Sequence, residues 1–209
     1  MAAALTKKSL FLVTGPPGVG KTTLIMTLVE ALKLSRPNLN VRGFYTRTLS
    51  LSVSLPPFYF AVCLLLSFHF AVCLLLSWST MDFNSILIRP ESSGWPTVGK
   101  YKVDVSSFES LALPELQVRE NTDLFIIDEV GKMELFSSHF FPGVLRVLES
   151  NIPVVASIPV PKFGRDIPAV ERLRGQPGAT IFSLSHSNRD ALKEEIYTQL
   201  LQALDVSRQ

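Results

Sequence analysis

Hydrophobic and polar positions alternate along this chain in blocks that fit first a strand and then a helix, several times over. The apolar run at 9–14 ends in a glycine, as a buried strand of a parallel sheet does. After it, apolar side chains recur at helical spacing: Leu24, Ile25, Leu28, Val29 and Leu32. Strands alternating with helices predict an α/β fold, a mostly parallel sheet with helices on both faces.

The same alternation continues to the end of the chain. Further strands are predicted at 40–46, 101–105, 124–127, 153–158 and 180–184, and helices at about 134–149, 167–174 and 188–204. A short helix capped by Ser106 and Ser107 is predicted to stop near Pro114. The pattern predicts a single domain over 1–209.

Composition argues against several partners and suits a reducing compartment. The formal net charge is +2, and the basic residues are scattered, so neither nucleic acid nor a membrane is expected as a partner. The only cysteines, Cys63 and Cys73, fit no disulfide framework or zinc spacing. We expect a cytoplasmic protein, with a mitochondrial address left open. The sequence leaves the oligomeric state open, a monomer included.

The strongest chemical motif lies between the first strand and the first helix. The segment GPPGVGKT at 15–22 matches G-x-x-x-x-G-K-[ST], the phosphate-binding P-loop or Walker A motif. The predicted nucleotide-binding residues here are Gly15, Pro16, Pro17, Gly18, Val19, Gly20, Lys21, Thr22 and Thr23. The glycines let backbone N–H groups point inward, and the helix adds the positive end of its dipole. Lys21 is predicted to reach the β- and γ-phosphates, and Thr22 to ligate Mg²⁺.

A second site element follows the strand at 124–127. Asp128 and Glu129 stand at its carboxyl end, where ligands collect in open parallel sheets. Asp128 is predicted to hold Mg²⁺, as a Walker B carboxylate does, and Glu129 to orient or deprotonate the attacking water. The alternative is that both acids only cap the following turn.

These segments together resemble a known family. FLVTGPPGVGKTTL, VRGFYT, VGKYKVDVSSFESLALPEL, IIDEVGKMELFS, SIPVPK and NRDAL, in that order, are similar to the cancer-related and thermophilic nucleoside-triphosphatases. The resemblance covers roughly 8–46 and 98–200. It implies a P-loop domain that hydrolyses ATP, GTP and other nucleoside triphosphates slowly with Mg²⁺, using Lys21, Thr22, Asp128 and Glu129 in the roles above.

Two groups of residues are weaker candidates. Asn188 and Arg189, at the last strand-to-helix junction, are predicted to contact the nucleotide base, or else to be an N-cap and a solvated helix residue. Arg165, Arg172 and Arg174 are candidates for an internal arginine finger.

Residues 47–97 depart from the family pattern. Within them, FYFAVCLLLS at 58–67 and FHFAVCLLLS at 68–77 are nearly identical. A single membrane crossing here would place Lys21 and Asp128 on opposite sides of the bilayer, so it excludes a functional site. The stretch could instead pack on the domain, or be translated non-coding sequence. The alternatives to a nucleoside-triphosphatase are a small nucleoside or nucleotide kinase, and an impaired, membrane-associated or misfolded isoform.

Overall fold

A six-stranded parallel sheet carries the fold. The computed structural model describes residues 9–46, 84–86, 96–98 and 101–206. In the described chain the strands are β1 Leu10–Thr14, β2 Val41–Thr46, β3 Asn84–Ile86, β4 Thr97–Val98, β5 Tyr101–Lys102, β6 Leu124–Asp128, β7 Val154–Ile158 and β8 Ala179–Ser183. The helices are α1 Lys21–Ser35, α2 Val105–Glu115, α3 Phe140–Glu149, α4 Pro168–Arg174 and α5 Arg189–Val206, with a 3₁₀ turn at Glu134–Phe136.

The strand order is β3-β2-β6-β7-β1-β8, and each neighbouring pair is parallel. Strand β7 therefore lies between β1, which leads into the P-loop, and β6, which leads into the acidic pair. All three strands end at the same edge of the sheet, and this edge is where the candidate site forms.

Helices cover both faces, which confirms the predicted architecture. Residues of β1 alternate between two buried clusters: Leu10 and Leu12 face one, Phe11 and Val13 the other. The first cluster packs α2, α3 and α4 against the sheet, and the second packs α1 and α5. The central strands are buried on both faces and are therefore almost wholly apolar. This is why apolar and polar residues do not alternate in the runs at 10–14 and 124–128.

Three predicted elements were wrong in detail. The strand expected at 101–105 is only Tyr101–Lys102, paired antiparallel with β4. Asp104, not Ser106 or Ser107, caps α2, since its carboxylate accepts from Ser107 N at 3.0 Å.

The helix expected from about 134 to 149 is divided into the 3₁₀ turn and α3. Ser137 causes the break, because its hydroxyl accepts hydrogen bonds from His139 N at 3.2 Å and Phe140 N at 3.1 Å. A side chain that bonds to backbone N–H groups in this way starts a new helix and does not continue the old one.

Candidate functional site

The P-loop connects β1 to α1, and its shape depends on close backbone approach. A Cβ on Gly15 would lie 2.6 Å from the carbonyl oxygen of Leu184, so no side chain fits there. Gly20, at φ +97°, adopts the left-handed conformation immediately before α1. Pro16, Pro17 and Gly18 are exposed, whereas Val19 is buried against the apolar cluster beneath α1. Val19 thus anchors the loop to the apolar cluster, while residues 16–18 remain open to solvent.

The first turn of α1 suits an anion. Gly20 gives no side-chain cap to the helix, and the first turn contains no acidic residue. Its N–H groups and the positive end of its dipole can therefore bind phosphate oxygens. Thr22 is partly buried and Thr23 is exposed at this end of the helix.

Lys21 joins the P-loop to the acidic pair. Its Nζ donates to the carbonyl oxygen of Gly15 at 3.3 Å and lies 3.4 Å from Glu129 Oε2. The side chains of Lys21 and Glu129 are 11% and 30% exposed, so the ion pair lies in a partly desolvated cleft. The structure therefore brings together two residues that sequence reasoning assigned to one site.

Asp128 lies at the end of β6, deeper than Glu129. The β6–β7 register pairs Ile127 with Ala156, which sets Asp128 beside Ser157. Ser157 donates a short hydrogen bond to Asp128 Oδ1, and both side chains are buried. Burial raises the pKa of the Asp128 carboxyl; the Ser157 hydrogen bond and a polar contact with Thr22 oppose this shift.

The Asp128 carboxylate fits the requirements of a ligand for a divalent cation. Its Oδ2 atom is buried, and no hydrogen-bond donor among the described residues satisfies it. A buried carboxylate oxygen without a partner is costly unless a cation or water completes its shell. Thr22, whose side chain interacts with Asp128, adds a second oxygen donor. Hard oxygen donors in small number are what Mg²⁺ uses when phosphates supply other ligands.

Two buried polar residues near the site escaped sequence reasoning. Ser157 sits within the apolar run of β7, and Glu134 begins the 3₁₀ turn. Gly131 N donates to Glu134 Oε2 at 3.1 Å, and burial raises the pKa of Glu134 to about 8. The available signal for Ser157 was a polar residue in a strand otherwise expected to be fully buried.

The far wall of the P-loop is formed by the start of α5. Arg189 Nη2 donates a short hydrogen bond to the carbonyl oxygen of Val19, and its guanidinium would lie 2.9 Å from a Cβ on Gly20. Asn188 uses both ends of its amide within the preceding loop, donating to Ser183 O at 2.9 Å and accepting from Ser185 N at 2.8 Å. Contact with a base by Asn188 or Arg189 remains a prediction.

The three arginine-finger candidates have different surroundings. Arg174 is held by Asp166, at 2.7 Å, and donates to the carbonyl oxygen of Pro159 at 3.3 Å. Arg172 lies over the ring of Phe141, with its guanidinium carbon 6.0 Å from the centroid. Arg165 is exposed, and its backbone pairs with Lys162. Arg165 is therefore the candidate whose side chain is least engaged in structural contacts.

Comparison with known proteins identifies related chains over most of the length. A sequence model described as NTPase matches residues 10–54 and 79–197. The cancer-related nucleoside-triphosphatase homolog of Bos taurus is 38% identical over 200 residues, covering 90% of this chain and 94% of that protein.

Solved structures of related proteins also resemble this one. The crystal structure of THEP1 from the hyperthermophile Aquifex aeolicus has a TM-score of 0.66 at 30% identity, and the match covers 91% of this chain and 98% of that one. The solution structure of a human cancer-related nucleoside triphosphatase has a TM-score of 0.65 at 31% identity, with 93% and 98% covered.

The matched ranges also narrow the stretch that departs from the family. The family model matches 47–54 and 79–97, two ranges predicted to depart from the family. The part of the chain that does not match is therefore 55–78. Strand β3, at Asn84–Ile86, lies in the matched range 79–97 and extends the sheet beyond β2. Both decamers lie outside the described residues. Among the helices in the described part of the chain, none combines the length and the apolar character that a membrane span requires.

Proposed function

Because this chain belongs to the nucleoside-triphosphatase family, we propose that it hydrolyses ATP, GTP and other nucleoside triphosphates to the diphosphate and phosphate with Mg²⁺. One observation supports this most strongly: Lys21 of the P-loop lies 3.4 Å from Glu129, which directly follows the buried Asp128. A cation for phosphate, a carboxylate for metal and a carboxylate for water thus share one edge of the sheet.

Each residue has a distinct task in this reaction. The N–H groups at the start of α1 and the Lys21 ammonium bind the β- and γ-phosphates and stabilise the charge that develops on them. Asp128 and Thr22 would hold Mg²⁺, which would supply positive charge to the phosphate oxygens. Glu129 is partly exposed, so it can contact a water molecule and orient it or accept its proton.

Weak base selectivity follows from the same geometry. The groups that carry the reaction, the P-loop N–H groups with Lys21, Thr22, Asp128 and Glu129, act on phosphates, metal or water, and none of these groups reads a base. Catalysis by positioning and electrostatics alone also predicts modest turnover. Further features stay proposals: a cytoplasmic location with a mitochondrial one left open, no nucleic-acid or membrane partner, and an open oligomeric state.

Phosphate release by the purified protein tests the proposal. We expect release from ATP and from GTP with no added acceptor, abolished by removing Mg²⁺ with chelator and by Lys21→Ala. Lys33→Ala, at the other end of α1, is the matched control and should keep full activity. Release that appears only with a nucleoside or sugar acceptor would favour the kinase. No release from soluble, folded protein would favour the impaired isoform.

A further inference from the structure

Glu134 is a buried acidic residue that has no role in the proposed reaction as described so far. Its side chain is 3% exposed, at the first position of the 3₁₀ turn that follows the acidic pair. Burying a carboxyl group costs free energy unless it is neutral or hydrogen-bonded, so a residue of this type in this place needs an explanation.

Gly131 lies between Glu134 and Glu129. Its N–H donates to Glu134 Oε2 at 3.1 Å. A Cβ built on Gly131 would lie 2.7 Å from Glu129 Oε1 and 3.1 Å from Glu134 Oε2. The two carboxyl groups therefore meet in the space that the missing side chain of Gly131 leaves open.

The two oxygens of Glu129 consequently face different neighbours. Oε2 faces the Lys21 ammonium at 3.4 Å, and Oε1 faces Gly131 on the Glu134 side. The Glu129 carboxylate thus lies between the P-loop cation on one side and the 131–134 turn on the other.

The protonation of Glu134 allows its carboxyl group to lie close to Glu129 and Asp128 at neutral pH. Burial raises the pKa of Glu134 to about 8, backbone hydrogen bonds oppose the shift, and the nearby charges of Glu129 and Asp128 add to it. At pH 7 Glu134 is thus mostly neutral, which limits its repulsion with the neighbouring carboxyl groups of Glu129 and Asp128.

We propose that Glu134 is a positioning residue for hydrolysis: by accepting from Gly131 N–H and filling the space beside it, Glu134 fixes the turn that aims the Glu129 carboxylate. This inference rests on the proposed function. A neutral isostere should do the same work, because it needs an acceptor and a shape, not a charge.

Three variants and one control test the inference. For each protein we would measure kcat, KM, the binding of a non-hydrolysable ATP analogue and thermal unfolding. Glu134→Leu removes the acceptor, and because misplacing a catalytic group by an ångström can cost about 100-fold, kcat should fall by about that factor with little change in KM. Glu134→Gln keeps the acceptor and should stay near the wild-type rate.

Gly131→Ala tests the same space should Glu134→Leu not fold. Its Cβ would displace the Glu129 carboxylate, so kcat should fall while analogue binding persists. Glu109→Gln is the matched control, since Glu109 accepts from Ser137 near the same 3₁₀ turn but not from the site; it should leave kcat unchanged.

The results separate failure of this inference from failure of the proposed function. Wild-type kcat in folded Glu134→Leu or in Gly131→Ala, or loss of activity in folded Glu134→Gln, would overturn the positioning role. Absence of hydrolysis in the wild type would instead contradict the proposed function itself.

Discussion

The Lys21 ammonium and the Glu129 carboxylate lie 3.4 Å apart although the strands that precede them, β1 and β6, are not neighbours. Strand β7 separates them and supplies Ser157, which donates to Asp128. Lys21 and Glu129 therefore meet across a third strand. The hydrogen bond from Ser157 of that strand holds Asp128 in its buried position beside Glu129.

Glu129 is expected to serve hydrolysis more than binding. Removing a general base typically lowers the rate by about 10²–10⁴-fold, so Glu129→Gln should release phosphate that much more slowly. The variant should still bind a non-hydrolysable ATP analogue, because the phosphate-binding groups, the N–H groups at the start of α1 and the Lys21 ammonium, are retained. Single-turnover hydrolysis and analogue binding measure the two effects, with the exposed Glu120→Gln as control. Equal rates in Glu129→Gln and wild type would remove Glu129 from the mechanism.

Ser157 is expected to stabilise both the fold and the metal site. Ser157→Ala leaves the buried Asp128 carboxyl without this donor, which should lower the free energy of unfolding by about 1–3 kcal/mol. It should also raise the pKa of Asp128 further, so more Mg²⁺ is needed for half-maximal hydrolysis. Denaturant titration and a Mg²⁺ titration check these effects. Ser183→Ala, on the exposed face of β8, is the control, and an identical response from the two variants would contradict the assignment.

Arg189 is expected to hold the P-loop in shape. Arg189→Ala removes the donor to Val19 O, and because a hydrogen bond to a charged group contributes about 1.5–3 kcal/mol, KM for ATP should rise about tenfold or more. Lys193→Ala, on the next turn of α5, removes a surface cation and should leave KM unchanged. If Arg189→Ala also changes the ratio of ATP to GTP hydrolysis, the residue contacts the base as well.

Stability should depend on pH through Glu134. Its pKa is 4.5 ordinarily and about 8 in the folded chain, so between those values the unfolded chain loses the proton and the folded chain keeps it. The free energy of unfolding should therefore fall as pH rises across this window, by at most about 1.4 kcal/mol per pH unit.

Glu134→Gln cannot titrate and isolates this effect, since Asp128 is present in both proteins. Denaturant melts from pH 4.5 to 8 should show the variant gaining on the wild type as pH rises. Parallel curves for the two proteins would show that Glu134 titrates normally in the fold.

The site residues that local pattern could reveal were those whose neighbours in sequence are also their neighbours in space. Lys21 and Thr22 follow a strand and open a helix, and the glycines between them and β1 are adjacent in the chain. Asp128 was likewise placed by the apolar run before it. These features depend on backbone geometry over a few residues, which sequence spacing records directly.

The missed residues depend on contacts between distant segments. Ser157 is a polar residue in an apolar strand, but nothing near it in sequence shows that β7 inserts between β1 and β6, so Asp128 could not be predicted as its partner. Glu134 fitted equally well into a long amphipathic helix, and only the backbone bonds to Ser137 show why that helix breaks. The hydrogen bond from Arg189 to Val19 O was missed for the same reason, because it joins the start of α5 to the P-loop; contact of Arg189 with a base stays a prediction.

The coupling of Mg²⁺ to nucleotide binding tests the central claim most directly. We expect Mg²⁺ to tighten binding of a non-hydrolysable ATP analogue to the wild type, measured by calorimetry with and without chelator. In Asp128→Asn the effect of Mg²⁺ should largely disappear, while Asp205→Asn, in a surface ion pair with Arg36, should respond like the wild type. An undiminished Mg²⁺ effect in Asp128→Asn would show that the acidic pair and the P-loop do not share one metal-bound triphosphate.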